Sequence, residues 1–445
     1  LQSLISIQHH IVQDILLPDI RMLLQRKQKL RDGLPIMNNF KEFITEAAQK
    51  NTHMTHIEDK VIYGGADGTR QAINALRELR DMLGGKKEGS VSVKWDGAPA
   101  VFAGTDPSDG KFFVAKKGIF NKNPKIYKTD ADIDDDTSGD LNDKLKLALK
   151  YLPELGIKGV IQGDFLYKRS ELKKKKIGTE SYLTFHPNTI VYAVPVKQSK
   201  ELLASKIGIV WHTTYTGSSF ETMSASYGVD VNKLKKSTNV WSQDAILRDV
   251  SNATMTKKET DEVNETLSQI GKLFNQISGS TLRVLSANPG LAGTIETFNN
   301  TYVRRGEVIG DSKKHAEKLI AYINQKYQKE IDKRSTEKGK GAQKAKRDEI
   351  LKFFSKENKI SLIKMFELQK LIVLVKLKLI NNLNRLSNIG SFVKTKNGYK
   401  VTGQEGYVAI DTLGGDAVKL VDRMEFSYNN FSPDILKGWD KPKGK

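Results

Sequence analysis

The chain has no cysteine among its 445 residues. That excludes disulfides, thiolate metal sites and cysteine nucleophiles, and it suits a reducing compartment. Long hydrophobic runs are missing too. The richest stretch, 371–380, falls short of the roughly 20 apolar residues a membrane span needs and carries Lys376 and Lys378. No secretory signal pattern opens the chain, so a cytoplasmic location and no membrane partner are expected. Acidic residues are in deficit, 52 against 72 lysines and arginines, which leaves a net charge of +20. Such an excess favours polyanionic partners, because each phosphate contact releases condensed counterions. Nucleic acid is therefore the expected partner.

What is present divides by texture. Residues 1–36 read as an upstream or poorly ordered extension, with Met37 as a natural start. Residues 37–89 read as helical, with Phe40, Phe43, Ile44 and Ala47 on one face and a second helix over 68–83 that ends at Gly84 and Gly85. From Ser90 to Tyr227 short β-rich runs alternate with Gly, Pro, Asp and Asn, interrupted by one helix at 141–152. The block 228–395 reads as helical and basic, with helices near 257–278, 312–330, 342–355 and 357–388. Within it, 332–347 reads as a flexible basic connector. Strand texture returns over 396–445. The expected fold is α+β with antiparallel sheets, split by a large helical insertion, and it shows no internal repeat.

Lys94-Trp95-Asp96-Gly97 stands at the end of the expected strand Val91–Trp95. A lysine at a strand end, followed by a tight turn, can be held in a pocket, where desolvation or nearby cations make its amine a nucleophile. Alone, K-x-D-G is a weak pattern that surface turns also carry. It gains weight from the motifs that succeed it along the chain: Lys116-Lys117-Gly118, then Gly163-Asp164-Phe165, then Glu405-Gly406-Tyr407-Val408, then Val418-Lys419-Leu420-Val421.

These residues resemble the ordered motifs of the covalent nucleotidyltransferase superfamily, which comprises ATP-dependent DNA and RNA ligases and mRNA capping enzymes. EGYVAI is most similar to phage RNA ligases, and KWDGAPA resembles tailed-phage proteins, which would make the compartment a host cytoplasm. The resemblance implies an adenylation core of the ATP-grasp-like ligase type, using ATP and Mg²⁺ to seal 5′-phosphate and 3′-hydroxyl ends of RNA or DNA. It implies Lys94 as the nucleophile that takes up AMP and Lys419 as the cation on the α-phosphate. Asp96, Gly97, Lys117, Gly118, Asp164, Tyr192 and Glu405 would bind the nucleotide, Tyr192 by stacking on adenine. Asp164 and Glu405 would also hold metal. The sequence departs from the pattern at Ala100, Gln162, Asp164 and Val421, where the family commonly carries Arg, Asp, Glu and Lys. The chain after Lys419 is too short for an OB-fold, so the basic insertion is expected to grip the substrate. A capping-type enzyme and a degenerate nucleic-acid-binding or structural protein are the alternatives.

Other features read as ordinary surface. The acidic run 130–140 lacks the Gly and terminal Glu of an EF-hand loop and reads as solvated. Lys173, Lys174, Lys175 and Lys176 suit either a solvated turn or a phosphate backbone. His53, His56, His186 and His212 show no metal-ligand spacing. Arg304 and Arg305 read as surface ion-pairing residues.

Overall fold

The computed structural model describes residues 54–85, 90–247, 253–386, 389–410 and 417–440. The extension 1–36, the helix expected after Met37 and His53 lie outside them. The compact unit His53–Lys445 is α+β, as the alternation of sequence periods requires.

Three sheets, mainly antiparallel, occur among the described residues. The first runs in the order Ile246–Leu247, Ser90–Lys94, Gly406–Ile410, Ala417–Leu420. The second is built on Val160–Lys168, flanked by Ala100–Thr105 and Ile207–Thr216. The third carries Ile190–Pro195 between Gly390–Thr395 and Glu180–Phe185, and Lys173–Ile177 forms its edge. The strand texture therefore resumes at Gly390, six residues before the expected boundary at 396.

The helical block differs from the expectation of a separate insertion. Val240–Asp244 and Ile246–Leu247, inside 228–395, are strands: the former pairs parallel with Ile207–Thr216, the latter with Ser90–Lys94. The helices after them share one hydrophobic core with the N-terminal helix Gly65–Leu83 and with the first sheet. Ile73 and Leu76 meet Leu267, Leu285, Ile295, Phe366 and Leu379 there, alongside Val91, Tyr407 and Leu420. At its centre lies Lys356–Leu383, packed on Lys257–Phe274, Ser312–Asp332 and Gly65–Leu83. Its apolar residues fall on several faces because it is buried on several sides.

Local chemistry explains the remaining differences. The expected connector 332–347 is largely helix, Glu337–Lys352, because Thr336 accepts from the Gly339 N–H and Lys, Ala, Gln and Arg favour helix. The expected acidic loop forms the helices Asp130–Asp136 and Gly139–Tyr151. Thr129 and Asp132 make a capping box, and carboxylates in the first turn suit the positive helix end. The helices Gly279–Ser286 and Pro289–Arg304 add to those expected. Their cues are local: Asn288 caps the second by accepting from Leu291 N–H, and Pro289 occupies its first turn.

A charge cluster lies inside the core behind the first sheet. Lys376 on the central helix donates to Glu58 at 2.7 Å, with both side chains buried. Arg423 reaches Asp59 at 2.8 Å and Glu58 at 3.5 Å. Burial alone would raise the Glu58 carboxyl, yet Lys376, His56 and Arg423 hold it below the usual carboxylate range. Removing one partner of a buried pair strands the other charge. Lys376→Ala is expected to lower stability by about 3–5 kcal/mol in urea unfolding, whereas an exposed control such as Lys173→Ala is expected to change it by under about 0.5 kcal/mol.

Candidate active site

Strand alternation decides which residues share a face. Val91, Tyr407, Ala409, Val418 and Leu420 face the helical core. Lys94 lies opposite Gly406, and Lys419 opposite Val408, on the other face of the same sheet. Two lysines 325 positions apart in sequence thus become neighbours across the Gly406 strand. Gly406 cannot be replaced without disturbance: a Cβ there would lie 2.5 Å from Val421 Cγ2 and 2.6 Å from the Leu420 carbonyl.

Glu405 stands immediately before this strand, and its Oε2 lies 2.5 Å from Lys94 Nζ. Burial pushes the Glu405 carboxyl up to about 7, against the pull of the Lys94 ammonium. Lys419 is lowered, first by burial and then by the Lys94 ammonium, with Glu405 opposing. Its backbone is fixed on the open side of the sheet: Ile57 N–H donates to the Lys419 carbonyl at 3.2 Å, and Lys419 N–H donates to Thr55 at 3.3 Å.

After Lys94 the chain turns through Asp96. The Asp96 carboxylate is buried and fully engaged, accepting from Asn188 Nδ2, Thr189 N–H and Ile190 N–H, each at 2.7 Å. Its own N–H donates to the Tyr192 hydroxyl at 2.7 Å. Asp96 is therefore a clamp tying the first sheet to the third, rather than the nucleotide ligand expected from sequence. Tyr192 is corrected likewise. It is fully buried, stacked on Phe185 and packed on Trp95, so no face remains for a base. Its hydroxyl is raised by burial and then by Asp96, with Glu405 and Asp164 adding to it.

Gly97 carries the turn across Asp164. A Cβ at Gly97 would sit 2.6 Å from Asp164 Cβ, and the next residues pair with Phe165 through Ala98 N–H and Pro99 C=O at 2.9 Å each. Asp164 faces His212, with 3.8 Å between Oδ1 and Nε2. Ala100 pairs with Asp164, so a methyl stands where an arginine is usual in ligases, and Gln162 accepts from Tyr215 at 2.8 Å. Lys117 is exposed at this same end of the second sheet, just beyond the pairing of Ala115 with Phe102. Gly118 lies against Lys125 in the turn Lys117–Phe120, while Lys116 is spent on Asp136 at 2.9 Å.

Lys94, Glu405 and Lys419 are thus brought together, with Asp164 placed beside their turn by Gly97. A phosphate-bearing ligand would meet two cations and one exchangeable carboxyl there. For a divalent ion Asp164 is the fitting oxygen donor, while Glu405 is already engaged by Lys94. Among the described residues no three acidic or histidine side chains form a ready-made cage, and Mg²⁺ commonly takes one or two carboxylates plus substrate phosphates.

The model of a family of unknown function, DUF6267, matches residues 51–434. The chain belongs to that family. The match spans the whole site, from the Glu58 cluster through Lys94 to Lys419 and Arg423. No curated protein and no solved structure matches the chain. Among the described residues no helix is long and apolar enough to cross a membrane.

Sequence reasoning missed Asn188, Thr189, His212 and Arg423. Each acts on a residue far away in sequence, so no local spacing marks it. Asp96→Ala would strand two buried backbone N–H groups and Asn188. It is expected to cost about 3 kcal/mol or more in denaturant unfolding.

Proposed function

We propose that this chain is an ATP-dependent polynucleotide ligase that works through a lysyl-AMP intermediate on Lys94. The observation that carries the proposal is the meeting of Lys94, Glu405 and Lys419 on one sheet face, drawn from opposite ends of the family region. The motif order of the sequence agrees with it, and so does the basic charge.

In this reading the Lys94 ammonium first gives its proton to Glu405. A carboxyl raised to about 7 is a better base than a solvated one. The neutral amine attacks the α-phosphorus of ATP; the N–P bond forms, the bond to the bridging oxygen breaks, and pyrophosphate leaves with the electron pair and takes up the second proton that the nitrogen sheds. Lys419 offsets the charge that builds on the α-phosphate oxygens. The 5′-phosphate of a strand then displaces Lys94 from phosphorus, and a 3′-hydroxyl expels AMP to form the phosphodiester. Asp164 is the residue that would hold Mg²⁺, which would supply charge neutralisation on the phosphates. The exposed lysines of the edge strand Lys173–Ile177 and the basic helix Glu337–Lys352 supply surface for a strand backbone.

Incubation with α-labelled ATP and Mg²⁺, followed by denaturing gel, is expected to give an acid-labile, base-stable adduct. Lys94→Ala should abolish it, and Lys419→Ala should slow it by about 10²–10³-fold. No adduct with ATP, or an undiminished one in Lys94→Ala, would overturn the reading; labelling by GTP in place of ATP would point to capping-type chemistry. The pH dependence has a definite sign. Glu405 accepts a proton only when ionised, so adduct formation should rise with pH through about 7. In Glu405→Gln that limb should vanish along with most of the rate.

A further inference from the structure

The third sheet has two unlike faces. On the inner one Leu183, Phe185, Ile190, Tyr192 and Val194 enter a buried apolar cluster. Strand alternation puts the residues between them on the outer face. Tyr182 lies there opposite Lys175, Phe392 opposite Val191 and Val401, and Tyr399 opposite Lys394. The face runs from the edge strand Lys173–Ile177 to the other edge, Gly398–Val401. That is four strand spacings, or about 19 Å.

The rings on this face do not fill a core. Tyr182, Phe392 and Tyr399 are half-buried, and among the described residues they join none of the buried apolar clusters. They meet one another instead: the Phe392 ring centroid lies 6.4 Å from that of Tyr182 and 6.4 Å from that of Tyr399. Gly390 explains how Phe392 reaches across. A Cβ there would lie 2.8 Å from Phe392 Cε2, so the ring leans over bare backbone, with the small Ala193 opposite Gly390 on the next strand. Val401, on the same face, is 75% exposed. Contiguous apolar surface left in water marks an interaction site.

The charge around the rings selects the partner. Lys173, Lys175 and Lys394 are exposed on this face. Lys173 gives one of its donors to the Ser170 carbonyl at 2.9 Å. Glu180 is the single acid of the five strands, and it accepts from the Tyr182 hydroxyl at 2.7 Å. Rings flanked by ammonium groups suit a chain of flat bases joined by phosphates. A duplex keeps its base faces inside its own stack, so only an unpaired strand can use both features.

We propose that this outer face binds single-stranded nucleic acid, RNA or DNA. Bases stack on Tyr182, Phe392 and Tyr399, and phosphates run along Lys173, Lys175 and Lys394. A sheet face of this width holds about two or three bases. The proposal shares its class of partner with the ligase reading but rests on other residues and needs no chemistry at Lys94. The two sites are joined through one strand. Ile190 N–H, at the start of Ile190–Pro195, holds Asp96 in the turn after Lys94, while Val191 and Ala193 of that strand fall on the outer face.

The test titrates the full chain, without ATP, into fluorescein-labelled oligo(dT), oligo(rU) and a duplex, each about 15 nucleotides long, and follows anisotropy. At least one single strand should bind more tightly than the duplex, and the two single-strand arms show which sugar the face prefers. Phe392→Leu and Tyr399→Leu keep apolar bulk without a stacking ring. Each should weaken single-strand binding about fivefold or more while leaving the melting temperature of the free protein unchanged. Tyr182→Phe retains the ring and should retain the affinity. Lys175→Ala combined with Lys394→Ala should reduce the slope of log affinity against log salt by about 1.4. A 5-bromouracil-substituted strand irradiated with the unmutated chain should cross-link to peptides carrying Tyr182, Phe392 or Tyr399. Absence of single-strand binding, tighter binding of the duplex, unchanged affinity in both leucine variants, or cross-links confined to other peptides would overturn the proposal. Adduct formation on Lys94 needs ATP and no strand, so either proposal can fail alone.

Discussion

The pairing of Ser90–Lys94 with Gly406–Ile410 is the constraint on which the rest of the site depends. A strand offers alternate residues to alternate faces, and here the two faces are chemically opposite. Val91, Tyr407, Ala409, Val418 and Leu420 are buried against helices, while Lys94 and Lys419 look the other way. A slip of one residue would drive both lysines into an apolar core and push the hydrophobic residues out. The register that buries the sheet is therefore the register that assembles the site. Its stability comes from the hydrophobic face, with the ion pair between Lys94 and Glu405 positioned as a consequence.

The turn after Lys94 shows how a motif divides its labour. Lys94 presents its amine, Asp96 anchors the turn to Asn188, Thr189 and Ile190, and Gly97 lets the backbone cross Asp164 at a distance no side chain permits. The aspartate was expected to be a ligand because the motif resemblance implied it. Burial changes its meaning. A carboxylate that accepts three hydrogen bonds out of water has little left to offer a substrate, and it fixes geometry instead. Tyr192 obeys the same logic, since a hydroxyl bonded to the Asp96 backbone and a ring packed between Phe185 and Trp95 belong to the support of the site.

How much was legible in sequence depends on the range of each interaction. The α+β class, the helix after Gly65 and the β-rich runs came from periods of 3.6 and 2 within single windows. The convergence of Lys94, Glu405 and Lys419 came from motif order, which carries long-range information that periodicity lacks. Glu58 and Lys376 meet across 318 positions, and Asp96 meets Thr189 across 93, and neither pair leaves a local trace. The short strands at Val240–Asp244 and Ile246–Leu247 were hidden because they are completed by partners elsewhere. The helix Glu337–Lys352 was hidden for the opposite reason: it has no buried residue, hence no apolar stripe, and its two glycines resemble a linker.

These facts change the meaning of the helical block. An insertion that only gripped nucleic acid could be removed and leave the sheet of Lys94 and Lys419 intact. Here the block provides the apolar layer against which the sheet is buried, and Lys376 on its central helix neutralises Glu58 beside the Lys419 strand. Losing it would expose the hydrophobic face and strand a buried carboxylate, so the fold would fail before any question of substrate arose. Any contact with a polyanion therefore falls to surfaces the core does not use. The lysines of Lys173–Ile177 are one such surface, on an edge strand where charge also discourages pairing with another chain. The outer face of Glu337–Lys352 is another. The same segment of chain thus has two textures: apolar helices that hold the site sheet in register, and the helix Glu337–Lys352, which packs on Ser312–Asp332 yet has no buried residue and leaves its basic outer face in solvent.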